Sequence, residues 1–155
     1  MIRSRKLLAG TVITLIAALT ALVGGMAFNQ KSQPSNTTPS VIVSPSTCDK
    51  RPDFILIIAD TNGFNDSISH GAPSNPWPVV RVLRGQVVNL LVCNQDSTQP
   101  HGFAIGTYLD AGIPMGPGEA YRIVFTATEP GTFRIYCNIF CTVHVFMFGQ
   151  LIVSA

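Results

Sequence analysis

From Asp53 to the C-terminus the chain never sustains helical periodicity. Short apolar, β-branched segments alternate with turns that carry Gly or Pro, and this pattern restricts the body to an all-β fold. The segments are Asp53–Asp60, Val79–Leu83, Gln86–Asn94, His101–Ile105, Tyr121–Ala127, Thr132–Cys137 and Gly149–Ser154. Breaks fall at Arg84-Gly85, along Gly112 to Gly118, and at Glu129-Pro130-Gly131. Strands of this length and spacing predict a Greek-key β-sandwich over residues 48–155, with functional residues on the loops at one end.

Two segments of a different kind precede that body. Arg3, Arg5 and Lys6 lead into an apolar run from Leu7 to Phe28, broken only by Gly and Thr. The run matches the roughly 20 residues a bilayer-spanning helix needs and exceeds the roughly 7–15 of a signal-peptide core. Residues 1–28 are therefore expected to form one transmembrane helix in the cytoplasmic membrane. The basic flank stays inside, which places the body on the external, periplasmic side. The small residues Gly24 to Ala27 supply the alternative, a cleaved signal peptide and a secreted body. Residues 29–47 are rich in Ser, Thr, Pro, Asn and Gln and read as a flexible tether.

Charge excludes some classes of function. Only 12% of residues are charged and 46% are hydrophobic, unlike a disordered chain or a charged coiled coil. Removing the three basic residues of the leader from the 10 Lys+Arg leaves 7 against 8 Asp+Glu, a net −1. A body this close to neutral, without a basic cluster, has no footprint for nucleic acid.

The chemistry concentrates in YCNIFCTVHVFMFG, residues 136–149. Two thiols (Cys137, Cys141), an imidazole (His144) and a thioether (Met147) share one loop. Thiolate and thioether select soft metals and imidazole suits copper, so the set points to copper; zinc would leave the Met unused. A further donor must come from elsewhere, and His101 in QPHGFAI is the natural one. General base, nucleophile system and open substrate pocket have no sequence signature here, so no catalytic residue is expected.

These residues resemble the cupredoxin family over Val79 to Val153. GQVVNLLVCNQDSTQPHGFAI looks like its strand–loop–histidine segment, and GTFRIYCNIFCTVHVFMFGQLIV like its last two strands with the metal loop between them. Two subtypes compete. CNIFC followed by His and Met is similar to the dinuclear CuA centre of haem-copper oxidase subunit II and nitrous oxide reductase. That resemblance implies two coppers bridged by Cys137 and Cys141, capped by His101 and His144, with Met147 and the carbonyl of Ile139 as weak ligands. The CuA pattern has three residues between the second Cys and the His, whereas only Thr142 and Val143 stand here. CTVHVFM resembles the mononuclear type 1 (blue) loop of amicyanin. It implies one copper on His101, Cys141, His144 and Met147, with Cys137 left over.

The resemblance implies electron transfer with redox protein partners: a cytochrome or blue-copper donor, and oxidase subunit I if the chain is the electron-accepting subunit of a cytochrome c oxidase-type complex. A copper storage or delivery module and a thiol enzyme using Cys141 and His144 are the readings from other classes. A Cys137–Cys141 disulfide is the plainer alternative for the loop. Cys48 and Cys93 read either as a disulfide, which an external compartment permits, or as a free thiol in the core. His70 reads as a surface residue, Met115 as packing, and Trp77 as cover for the edge of the core.

Overall fold

The computed structural model describes residues 40–155. Its strands are β1 (Ile42–Ser46), β2 (Ile55–Asp60), β3 (Gly63–Phe64), β4 (Val79–Leu83), β5 (Val87–Asn94), β6 (His101–Ile105), β7 (Leu109–Met115), β8 (Ala120–Thr126), β9 (Gly131–Tyr136) and β10 (Phe148–Ser154). Two 3₁₀ turns, Ser67–His70 and His144–Phe146, interrupt them. One sheet runs β1-β8-β5-β2-β3 and the other β4-β10-β9-β6-β7. Most neighbours are antiparallel, but β2 pairs with β5 and β4 with β10 in parallel.

The core fills the space between the sheets. Val88, Leu90 and Val92 of β5 face it, together with Ile57, Phe103, Ile105, Ile123, Phe125, Ile135, Leu151 and Val153. Phe64 meets Phe103 edge-on at 5.7 Å between ring centroids, a favoured aromatic geometry. β5 reads as almost continuously apolar because its other face is covered too. Leu91 and Cys93 pack there with Ala120 under Phe54 and Leu56. Cys93 forms a disulfide with Cys48, closing a 45-residue separation.

Besides the two-residue β3, two strands were not expected. Ile42–Ser46, within the stretch read as tether, pairs with β8 along its whole length. Over residues 42–46 the tether reading, and with it the start of the body at Cys48, is corrected accordingly. The reason is local: Val41, Ile42 and Val43 offer β-branched side chains, and Val41 and Val43 pack against the core. β7 runs through Gly112 and Pro114, residues read as turn punctuation. Both strands lie at sheet edges, where a Pro without an N–H costs no ladder hydrogen bond.

The expected anchor, residues 1–28, lies outside the described residues, as does the start of the tether. No helix among the described residues is long and apolar enough to cross a membrane.

Candidate metal centre

Residues 137–147 connect β9 to β10 at one end of the sandwich. Tyr136 sits opposite Phe148, and the Cys137 amide donates to the Met147 carbonyl at 3.3 Å, so the two limbs of the loop leave the sheet side by side. The 3₁₀ turn then folds the second limb back: Phe146 N donates to Val143 O at 2.9 Å and Met147 N to His144 O at 3.1 Å. This turn carries His144 outward and returns Met147 to the interior, where it is 1% exposed.

The donors converge. Cys137 and Cys141 are both buried and free, with their sulfurs 3.6 Å apart. The Cys141 sulfur lies 3.5 Å from Met147 Sδ and 4.0 Å from His144 Nδ1. Donor atoms of Cys137, Cys141 and His144 all fall within 4.8 Å of one another. The carbonyl of Ile139 accepts from the Cys137 thiol at 3.2 Å. Two thiolates on one ion, with bonds of about 2.3 Å at a tetrahedral angle, stand roughly 3.8 Å apart. The sulfurs are already close to that separation.

His101 is the first residue of β6 and fully buried. It lies outside the three-residue group above, and the next residue links it to the sulfurs: the Gly102 amide donates to Cys137 Sγ at 3.1 Å. Only glycine permits that approach, since a Cβ on Gly102 would stand 2.9 Å from Asn138 N and 3.0 Å from Ile139 N. On the ring, Nε2 faces Asp96 Oδ2 at 3.2 Å, whereas Nδ1 is buried without a hydrogen-bond partner. A buried lone ring nitrogen is costly unless something binds it. With Nε2–H donated to the carboxylate, Nδ1 presents a lone pair, the arrangement of a metal-ligating imidazole.

Asp96 is itself over-determined. Its Oδ1 accepts from Thr98 N, Thr98 Oγ1 and Gln99 N at 2.9–3.0 Å. Those hydrogen bonds, that of Thr98 N foremost, outweigh its burial and hold the carboxyl down at about 2. Asn94 anchors the same loop: its Nδ2 donates to the carbonyls of Gln99, Met115 and Gly116, and its Oδ1 accepts from Asp96 N. Thr142 donates to Gln99 Oε1 at 2.7 Å, tying the metal loop to the histidine loop. Neither Asn94 nor Asp96 stood out in the sequence. The available signal was an Asx-type turn, Asp-Ser-Thr, directly ahead of a candidate ligand.

Burial and the neighbouring Cys137 push the Cys141 thiol up to about 12. Without metal it is a thiol at neutral pH, and so a poor nucleophile. His144 is exposed, with Phe140 (93% exposed) and Val145 (58% exposed) nearby in the same loop. The remaining residues of interest lie apart from this cluster or serve packing. His70 is exposed and stacks on half-buried Trp77 at 3.9 Å. Met115 is fully buried, opposite His101 in the β6–β7 pair.

No family model matches the chain. Among solved structures it is similar to auracyanin from the photosynthetic bacterium Roseiflexus castenholzii, with a TM-score of 0.51 and 20% identity over 68% of this chain and 100% of that one. Amicyanin from Paracoccus versutus gives a TM-score of 0.47 and 24% identity over 74% of this chain and 97% of that one. A haem-copper terminal oxidase dimer gives 0.49 and 18%, covering 98% of this chain and 100% of that chain. The auracyanin likeness shows the two-sheet sandwich to be a cupredoxin fold.

Proposed function

We propose that this protein is a copper-binding electron-transfer protein whose metal is held by His101, Cys137, Cys141, His144 and Met147, with the Ile139 carbonyl as a further weak donor. The observation that carries this is the pair of free, buried thiols 3.6 Å apart at the end of the sandwich where His101 presents an unpartnered Nδ1. Thiolate, imidazole and thioether together suit copper. Copper bound there would take up and pass on one electron at a time.

The chain's own residues supply rigidity and access. Asp96 fixes the tautomer and orientation of His101, and the sandwich holds Cys137 and Met147 at the ends of adjacent strands, so the ligands are preorganised. Four of the five donor side chains are buried, which supports a relay over a delivery module, whose ligands must open to release their ion. The thiol held at about 12 weighs against a cysteine enzyme. Exposed His144 is the electron port, and Phe140, Val143, Val145 and Phe146 form an apolar rim for brief encounters with redox proteins.

A two-copper site, which Cys137 and Cys141 would both help to hold, is the leading form, because it uses both thiols. The chain then resembles the subunit that carries electrons into a haem-copper oxidase, receiving them from a cytochrome or blue-copper protein and passing them to the catalytic subunit. A single type 1 copper is favoured by one observation, the approach of Met147 Sδ and His144 Nδ1 to the Cys141 sulfur at 3.5 and 4.0 Å. In either form the N-terminal run would hold the domain at the outer face of the cytoplasmic membrane. Copper analysis with electron paramagnetic resonance on the reconstituted protein tests the reading. Hyperfine splitting from two equivalent coppers supports the dinuclear form and a one-copper pattern the type 1 form. A colourless, copper-free product would overturn both.

A further inference from the structure

The connection between β3 and β4 lies against the second limb of the metal loop on both sides of Met147. The Ser67 hydroxyl donates to the Phe146 carbonyl, immediately before Met147. The Trp77 amide donates to the Phe148 carbonyl, immediately after it, at 2.9 Å. Ser67 is fully buried, so this hydroxyl is committed to the loop and not to solvent. Gly63 permits the approach, since any Cβ there would run into the Phe146 carbonyl; its φ of +93° suits glycine as well.

The connection is itself pinned. The Asn65 side chain bonds to strand β2 twice, accepting from Ile58 N at 2.6 Å and donating to Leu56 O at 3.3 Å. Trp77 Nε1 donates to Asn65 O at 3.1 Å. A chain of hydrogen bonds thus runs from the sheet through Asn65 and Trp77 to Phe148, while Ser67 holds Phe146. With Met147 N bonded to His144 O and Met147 O to Cys137 N, the backbone on either side of the thioether is fixed at four points.

We propose that Ser67, backed by the Asn65–Trp77 brace, is a positioning residue that sets how closely the Met147 thioether approaches the metal, and so tunes the reduction potential. This rests on the copper reading above. The strength of a weak thioether contact tunes the potential of such sites. Freeing the Phe146 carbonyl lets the second limb relax and weakens the thioether contact, which shifts the potential.

The test is Ser67→Ala in wild-type and Met147→Leu backgrounds, with full-length protein and two readouts. In the copper-free protein, amide hydrogen exchange at Phe146 and Met147 should speed up at least several-fold, while β5 and β8 amides stay unchanged. In the copper-loaded protein, Ser67→Ala should shift the potential, and the shift should vanish when Met147 is already Leu. Unchanged exchange at Phe146 and Met147 would overturn the proposal. An equal shift in both backgrounds would also overturn it, since Ser67 would then act without the thioether. If the wild-type protein takes up no copper, the copper reading fails, and the exchange result still decides whether Ser67 braces the loop.

Discussion

At the scale of single residues, the centre depends on groups that bind no metal. Asp96 has one oxygen on the His101 ring and the other on three donors from the next turn, so it orients the imidazole instead of merely neutralising charge. Asp96→Ala should lower copper affinity by about 10–100-fold, the usual cost of losing a partner to a ligating histidine; competition against a chelator of known affinity measures it. The same carboxyl gives a pH signature in the copper-free protein. Its native value of about 2 lies below the ordinary 3.8, so the unfolded chain binds more protons in that window. The stability it contributes is complete above pH 4 and is lost as pH falls toward 2. Asp96→Asn should flatten that part of the acid-denaturation curve. Cys141 behaves in the opposite sense. Its thiol is raised from 9.0 to about 12, so the copper-free fold loses stability as pH rises from 9 through 12. Copper uptake at neutral pH must also displace the thiol proton. Affinity should therefore climb with pH between 6 and 8, and a pH-insensitive affinity would show that Cys141 stays protonated or unused.

At the scale of elements, strands free of Pro were legible, at a sheet edge or not, apart from the two-residue β3, and the Pro-bearing edge strands were missed. β4 and β6 match their expected spans residue for residue, although β4 lies at a sheet edge, and β5 differs only at its first residue; in β4 and β5 aliphatic residues at the core-facing positions mark the strand. β1 and β7 each carry a Pro and sit on the rim of a sheet, where composition resembles loop and only tertiary pairing makes a strand. The metal loop was legible because its donor spacing is local. Asp96, Asn94 and Ser67 were not, because each gains its role from a partner distant in the fold or from the direction of a turn. The Cys48–Cys93 bridge stood as one of two readings, and the structure closes it across the outer face of β5. Removing it by Cys48→Ser should cost about 2–4 kcal/mol, seen as a lower Tm with copper stoichiometry preserved, since the bridge lies on the face of β5 away from the main core. Lost copper binding would tie the bridge to the site instead.

At the scale of the whole molecule, the proposed copper site sits at one end of the sandwich with one exposed donor, His144. The donors gather at one end, where Phe140 and Val145 leave apolar surface in the same loop as His144. Replacing Val143 and Val145 with Asp should slow electron exchange with redox partners while leaving the copper spectrum intact; an unchanged rate would move the docking face elsewhere. The central claim is that a histidine from mid-chain and the sulfur-rich loop close on the same copper. Pulsed electron paramagnetic resonance of the reconstituted protein, counting imidazole nitrogens coupled to the metal in wild type and in His101→Ala, tests it most directly. Two imidazoles in the wild type and one in the variant are predicted; the same count in both would contradict it.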